Sequence, residues 1–305
     1  MNQLYLDTAR MLVRVAPFAF TDNALALKGG TAINLFTRDM PRLSVDLDLV
    51  FTDPAVPRDQ ALSRINEAIK QASEHLSERG FQTRASTAAG AGETKLLVRR
   101  GPVEVKIEVN FVLRGTVRPV RLASLTPRAR ETLLADLEIP VASLEDLYGG
   151  KLVAALDRQH PRDLFDVQQL LEHEGITRDI RRAFVVYLAS HTRPVHEVLF
   201  PRLRDITQDF KNNFVGMTTD TVALDELIAT RERMLAQLQH DLDPNERRFL
   251  ISLVNLAPDW TLLGIPHVEQ LPAIRWKLQN LEHLQQSNPR KFLDQSQSLE
   301  QRLMR

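Results

Sequence analysis

Asp46 and Asp48 stand two residues apart in Arg42-Leu43-Ser44-Val45-Asp46-Leu47-Asp48-Leu49-Val50-Phe51. Side chains alternate along an extended strand, so both carboxylates face one side, with Leu47 and Leu49 on the other. Two carboxylates on one face repel each other, and a bound cation relieves that repulsion. Just upstream, Leu27-Lys28-Gly29-Gly30-Thr31-Ala32 has the form of a Gly-Gly-Thr turn entering a helix. Glycine lets the backbone approach a ligand closely, and free N–H groups at a helix start hold phosphate. A phosphate cradle followed by paired carboxylates outlines a metal-dependent nucleotide site. Taken singly, each feature also fits an ordinary turn or a solvated strand face. The order and the short helix between them favour a site.

Three later stretches extend this set. In Val103 to Phe111, Lys106, Glu108 and Asn110 share one strand face, and Val105, Ile107 and Val109 share the other. If that strand neighbours the Asp46/Asp48 strand, Glu108 becomes a third carboxylate of the kind a metal-plus-nucleotide site uses. Otherwise it is an amphipathic strand with a wet face. Lys151 lies among Gly149, Gly150, Leu152, Val153, Ala154 and Ala155 of a predicted helix. A lysine there either snorkels outward or is held near a phosphate. Pro161 then opens a further helix, Arg162-Asp163-Leu164-Phe165-Asp166. Asp163 and Asp166 share a helical face, and Arg162 and Asp166 have pairing distance. Acids in a first turn also favour the helix dipole without any site.

The elements that must position these residues follow from periodicity. Helical spacing covers residues 3–16 and 58–79, the latter ending at Gly80, and a short strand is expected at 24–28. Strands are expected over 81–86, 94–99 and 103–111, with turns at Gly90-Ala91-Gly92 and Gly101-Pro102. Another extended piece runs from Glu138 to Val141, and Ser143 with Asp146 marks a helix start. Beyond Ile176 the pattern is helical, with segments at 178–191, 194–200, 202–212, 222–240, 243–257, 270–285 and 289–303. The expected class is therefore α+β, with the strands in residues 1–175 and an all-helical part over 176–305. Trp260 and Trp276 suit core or interface anchors.

The 305 residues are 43% hydrophobic with no membrane-length apolar run and no signal-peptide pattern, so a soluble, cytoplasmic protein without a membrane partner is expected. Without cysteine, thiolate metal sites and cysteine nucleophiles are excluded. The 39 basic and 39 acidic residues cancel, which argues against a generic polyanion binder. Between Arg84 and Arg130, however, ten Lys or Arg stand against three Glu. That excess suits either a nucleic-acid track or a solvated, ion-paired face.

These motifs resemble those of the AbiEii/AbiGii (MenT-like) nucleotidyltransferase toxins. Lys28-Gly29-Gly30-Thr31-Ala32 with Ser44-x-Asp46-x-Asp48 is similar to the family's first motif and Lys106-Ile107-Glu108-Val109 to its second. The Lys151 helix and Pro161 to Asp166 are similar to the third and fourth. Asn213 to Met217 and Trp276 to Leu281 resemble the helical half. Two departures stand out: Thr31 where serine is usual, and Glu108 in place of aspartate. The resemblance implies a DNA polymerase β-like nucleotidyltransferase domain with a mixed sheet, and a toxin of a type IV toxin–antitoxin system tied to phage defence. It implies an NTP substrate with Mg²⁺ (or Mn²⁺), RNA as acceptor, most of all the tRNA 3′ end, and an AbiEi-like antitoxin from a neighbouring gene. It assigns Asp46, Asp48 and Glu108 to metal, and Asp46, Asp48, Lys151, Asp163 and Asp166 to catalysis. Gly29, Gly30, Thr31, Ser44 and Arg162 go to nucleotide binding. Two other readings stay open: nucleotidylation of a protein hydroxyl, and a non-enzymatic NTP- or antitoxin-binding module.

Overall fold

A computed structural model describes residues 2–87 and 93–304. The expected turn at Gly90-Ala91-Gly92 lies outside the described residues. Packing divides the chain into two compact units, Met1–Leu147 with Phe214–Thr221, and Tyr148–Asn213 with Val222–Arg305.

The first unit contains α1 (Gln3–Val15), β1 (Leu25–Lys28), α2 (Gly29–Phe36), β2 (Asp46–Phe51), α3 (Arg58–Glu78), β3 (Gln82–Thr87), β4 (Glu93–Arg100), β5 (Val103–Asn110), β6 (Arg121–Ser124), α4 (Pro127–Leu133) and β7 (Glu138–Val141). Its seven strands form one sheet in the order β3-β4-β5-β2-β1-β7-β6. The pairs β2/β5 and β1/β7 are parallel and the rest antiparallel, so the sheet is mixed, as expected.

Alternation in the sequence decides which face is dry. Leu47, Leu49, Val105, Ile107, Val109, Leu96 and Val98 are fully buried on one face. The α3 helix lies against this face, its apolar stripe running through Ala61, Ile65, Ala68, Ile69, Ala72 and Leu76. Thr94, in phase with Leu96 and Val98, bonds Asn66 of α3 at 3.2 Å. The opposite phase of β2, β4 and β5 carries Asp46, Asp48, Lys95, Lys106 and Glu108.

One contribution to this unit comes from far along the chain. Phe214–Thr221 runs beside residues 40–43: Leu43 N donates to Met217 O at 2.8 Å, and Thr219 N to Pro41 O at 3.0 Å. Arg42 and Thr218 form an isolated antiparallel bridge. The segment that leads into β2 is thus fixed by backbone bonds.

The second unit is helical. It holds most of α5 (Leu144–Arg158), then α6 (Pro161–Glu172), α7 (Arg178–Ala189), α8 (Val195–Leu199), α9 (Thr207–Asn213), α10 (Leu224–Asp241), α11 (Pro244–Val254), α12 (Pro272–Ser287) and α13 (Pro289–Leu303). The helical part therefore begins at Tyr148, inside α5, rather than at residue 176. The reason is packing: α6 lies against α10, and Gly149 of α5 lies against α7. Residues 201–206 form neither helix nor strand, whereas helix was expected from 202. Gln159 accounts for this, since its amide donates to Arg202 O at 2.8 Å and accepts from Arg204 N at 3.0 Å. Trp260 rests 6.0 Å from the Phe249 ring, but Trp276 is 50% exposed on α12 rather than buried. Lys277, its buried neighbour, donates to His191 O and Arg193 O at 2.8 and 2.6 Å, and burial pushes its pKa down to about 8.

Adjacent glycines of α5 give a test of this packing. A Cβ at Gly149 would stand 2.8–2.9 Å from Phe184 N and from Ala183, main chain that cannot step aside. A Cβ at Gly150 meets only the Tyr187 ring, at 4.0 Å. Gly149→Val should lower unfolding stability by about 2 kcal/mol or more through overpacking. Gly150→Ala should be neutral or stabilising by up to about 1 kcal/mol, because alanine is the better helix former. Urea midpoints of the two variants against wild type check the contrast.

Candidate active site

In the first unit the site begins at the β1–α2 corner. Gly29 has φ +75°, a left-handed conformation, and the Asp48 carboxylate occupies the place of its missing Cβ. A Cβ on Gly30 would meet Arg42 Nη2 at 2.7 Å and Ser44 Oγ at 3.3 Å. The two glycines therefore let one carboxylate and one guanidinium close in on the start of α2. Thr31 is fully buried. Its hydroxyl lies 2.5 Å from Asp46 O and 2.8 Å from Ser44 Oγ. The Thr31 hydroxyl is the donor to both, its one proton shared between the Asp46 carbonyl and the Ser44 oxygen. This pair ties the helix start to the first residue of the acidic strand. Asn34 Nδ2 closes the same turn on Gly30 O at 2.9 Å.

The parallel β2/β5 register sets Asp46 beside Lys106 and Asp48 beside Glu108, and β4 sets Lys95 beside Glu108. The three carboxylates thus share one face. Both Glu108 oxygens are engaged: Lys95 Nζ lies 2.9 Å from Oε1 and Lys106 Nζ 3.1 Å from Oε2. Lys106 Nζ is also 4.0 Å from Asp46 Oδ1. Burial alone would push the Glu108 carboxyl up, but the two lysines outweigh it and hold it below the usual range. Burial likewise works against the Lys106 ammonium, and Glu108, Asp46 and Asp48 more than restore it.

The second unit holds a separate charge cluster. Lys151 is 7% exposed and neither snorkels nor stands alone. Its Nζ lies 2.8 Å from Asp163 Oδ1 and 2.9 Å from Asp166 Oδ2. Arg158 grips Asp163 from the other side, Nε to Oδ2 at 2.5 Å and Nη2 to Oδ1 at 3.0 Å. The α5–α6 turn makes this possible. Gln159 takes a left-handed φ of 52°, and His160 caps α6 by accepting from Arg162 N at 3.1 Å. Burial, reinforced by Arg162, holds the His160 imidazole below its usual pKa, consistent with an accepting Nδ1. Asp163 is buried, which would raise its carboxyl, yet Lys151 and Arg158 hold it well below the ordinary range. The arginine that sequence spacing offered to this helix was Arg162. The one that pairs with Asp163 is Arg158, which helical spacing within α6 does not reveal.

Among the described residues no three His, Asp or Glu side chains form a ready-made metal cage. That does not exclude a fit. Mg²⁺ is commonly held by one or two carboxylates and completed by substrate phosphates. Asp46 and Asp48 are hard oxygen donors on one face, and the Gly29 backbone lets the Asp48 carboxylate lie against the helix start. This donor set suits a hard divalent cation and a triphosphate.

A mixed sheet whose central strand carries this acid pair beside a glycine-led helix start has the form of a nucleotidyltransferase. A family model described as "Nucleotidyl transferase AbiEii toxin, Type IV TA system" matches residues 10–280. The chain belongs to this family of nucleotidyltransferase toxins. No curated protein matches the chain. Among solved structures it is similar in fold to MenT4, a nucleotidyltransferase toxin from Mycobacterium tuberculosis H37Rv. The two share 22% identity over 89% of this chain and 91% of that one, with a TM-score of 0.61.

The buried Asp163 has a signature in acid. The unfolded chain protonates an aspartate near pH ~4, whereas the folded chain holds Asp163 ionised to lower pH. The unfolded state then binds the extra proton, so this contribution is full above pH ~4 and drains as the pH falls. Asp163→Asn should flatten the slope of stability against pH below ~4 by up to about 1.4 kcal/mol per pH unit, one proton's worth. Urea titrations at stepped pH measure it.

Proposed function

We propose that this toxin transfers a nucleotidyl group from an NTP to RNA, most of all to the 3′-hydroxyl of the tRNA acceptor end. The reaction would use Mg²⁺ (or Mn²⁺) and block translation and growth in the cytoplasm. Family membership ties such a toxin to an antitoxin, here taken as AbiEi-like, and the proposal places its use in phage defence. The observation that carries the reading is the Asp46/Asp48 pair on one face of β2, with the Asp48 carboxylate packed against the Gly29 backbone.

In the reaction, the acceptor hydroxyl oxygen forms a bond to the α-phosphorus. The bond from that phosphorus to the β-phosphate oxygen breaks, pyrophosphate leaves and the hydroxyl proton passes to solvent. Asp46 and Asp48 would hold the cation, which when bound neutralises triphosphate charge. The N–H groups of Gly29, Gly30 and Thr31 at the start of α2 would receive phosphate oxygens, with the Thr31 and Ser44 hydroxyls bracing that turn. Lys151 is assigned to charge developing on the transferred phosphoryl group. Its bonds to Asp163 and Asp166 support a positioning role for both acids. Arg162 is assigned to the nucleotide. The Lys95 and Lys106 contacts leave Glu108 a supporting carboxylate before any direct metal role.

The test is incubation with each labelled NTP and total tRNA, with Asp46→Ala as control. Wild type should label RNA, and Asp46→Ala should reduce labelling by roughly 10²–10³-fold, the scale of losing one charge-stabilising group. Label in lysate protein and none on RNA would move the acceptor to a protein hydroxyl. Growth inhibition that survives both Asp46→Ala and Lys151→Ala would reduce the chain to a binding module.

A further inference from the structure

Lys95 and Lys106 perform no step in the scheme above beyond their contacts to Glu108, yet both stand on the acid face. The β4/β5 register puts Lys95 directly across from Glu108, and the β2/β5 register puts Lys106 across from Asp46. Side-chain geometry follows that register. Glu108, 16% exposed, divides its two oxygens between the two ammoniums. Lys95 occupies Oε1 from the far side, so the carboxylate presents Oε2 to Lys106 and fixes that ammonium. From there Lys106 reaches 4.0 Å from Asp46 Oδ1, spanning the gap between Glu108 and the acid pair. The arrangement does for three carboxylates what a cation does, since it lets like charges share one strand face.

We propose that Lys106 is a resident counter-cation of this face, held in place by Glu108 and Lys95, and that it competes with the divalent cation for the field of Asp46. The inference rests on reading Asp46 and Asp48 as the metal carboxylates. It gives the charge pattern of β4 and β5 no catalytic step. It makes Lys106 a determinant of metal affinity: metal enters against the fixed positive charge that Lys106 holds beside Asp46. A unit charge a few ångströms from a divalent cation opposes binding by the order of tenfold even at high effective dielectric. Salt screens only part of this, because Lys106 is partly buried. Glu108, its two oxygens already taken, then acts as an anchor for Lys106 before it can act as a ligand.

Direct titration of the full-length protein with Mn²⁺ alone, without nucleotide, tests this by equilibrium binding. Lys106→Met and Lys106→Gln should each bind Mn²⁺ about tenfold more tightly than wild type, and Lys106→Arg, which keeps the charge, should match wild type. Two neutral variants guard against a folding defect in either, and melting curves confirm that each is folded. Unchanged or weaker Mn²⁺ binding in both neutral variants, with Asp46→Asn still abolishing it, overturns the competition while leaving the acid pair as the metal site. No binding in any form, or binding that survives Asp46→Asn and Asp48→Asn, removes the metal reading and this proposal with it.

Discussion

The register between β2 and β5 is the constraint on which the first unit depends. It sets Leu47 beside Ile107 and Leu49 beside Val109 on the dry face, and Asp46 beside Lys106 and Asp48 beside Glu108 on the other. A slip of one residue would turn one strand over, sending its two charged side chains to the dry face and exposing its two aliphatic ones, so the hydrophobic pattern enforces the pairing. The same register that fills the core also assembles the acid face. Parallel pairing of strands distant in sequence needs a long connection, and the α3 helix with the β3–β4 ribbon supplies it.

The two units solve the problem of clustered charge in opposite ways. On the sheet, carboxylates and ammoniums share a partly water-exposed face, so no charge depends on a single partner. In the helical cluster Lys151, Asp163 and Asp166 are almost wholly buried, so every charge needs a direct partner. Arg158 is the added cation that balances the second acid, and its exposed stem lets it serve without a further desolvation penalty. Buried pairs of this sort add little net stability against an apolar alternative, but removing one partner is costly. That asymmetry fits a cluster retained for position.

Much of this was legible in the sequence where a local period governs. The strands at 46–51 and 103–110, the α3 stripe and the Pro161 helix start each follow from spacing within one element. What spacing cannot show is which distant residue completes a contact. Lys95 is one of several lysines in a basic tract until the β4/β5 register sets it on Glu108. Phe214–Thr221 looks like a link between helices, yet its backbone secures residues 40–43 ahead of the acid strand. The irregular piece at 201–206 and the early start of the helical unit have the same origin, a side chain or a neighbour outside the sequence window. The basic tract also divides: Lys95 and Lys106 bind the acid face, while Arg114 is buried and donates to Phe111 O.

The departure at Thr31 is explained by the same logic. The resemblance sets serine at this place, and a free phosphate-binding hydroxyl would make the exchange a matter of reach. The Thr31 hydroxyl is instead spent inside the protein, donating to Asp46 O and to Ser44 Oγ. What the position requires is one donor aimed at the acidic strand. Threonine supplies it from a side chain with fewer rotamers, and its methyl group lies in a fully buried site. The extra carbon therefore stiffens the link between the helix start and β2 instead of obstructing a ligand. On the proposed function phosphate would meet the backbone of the turn, and the hydroxyl holds that backbone beside Asp46.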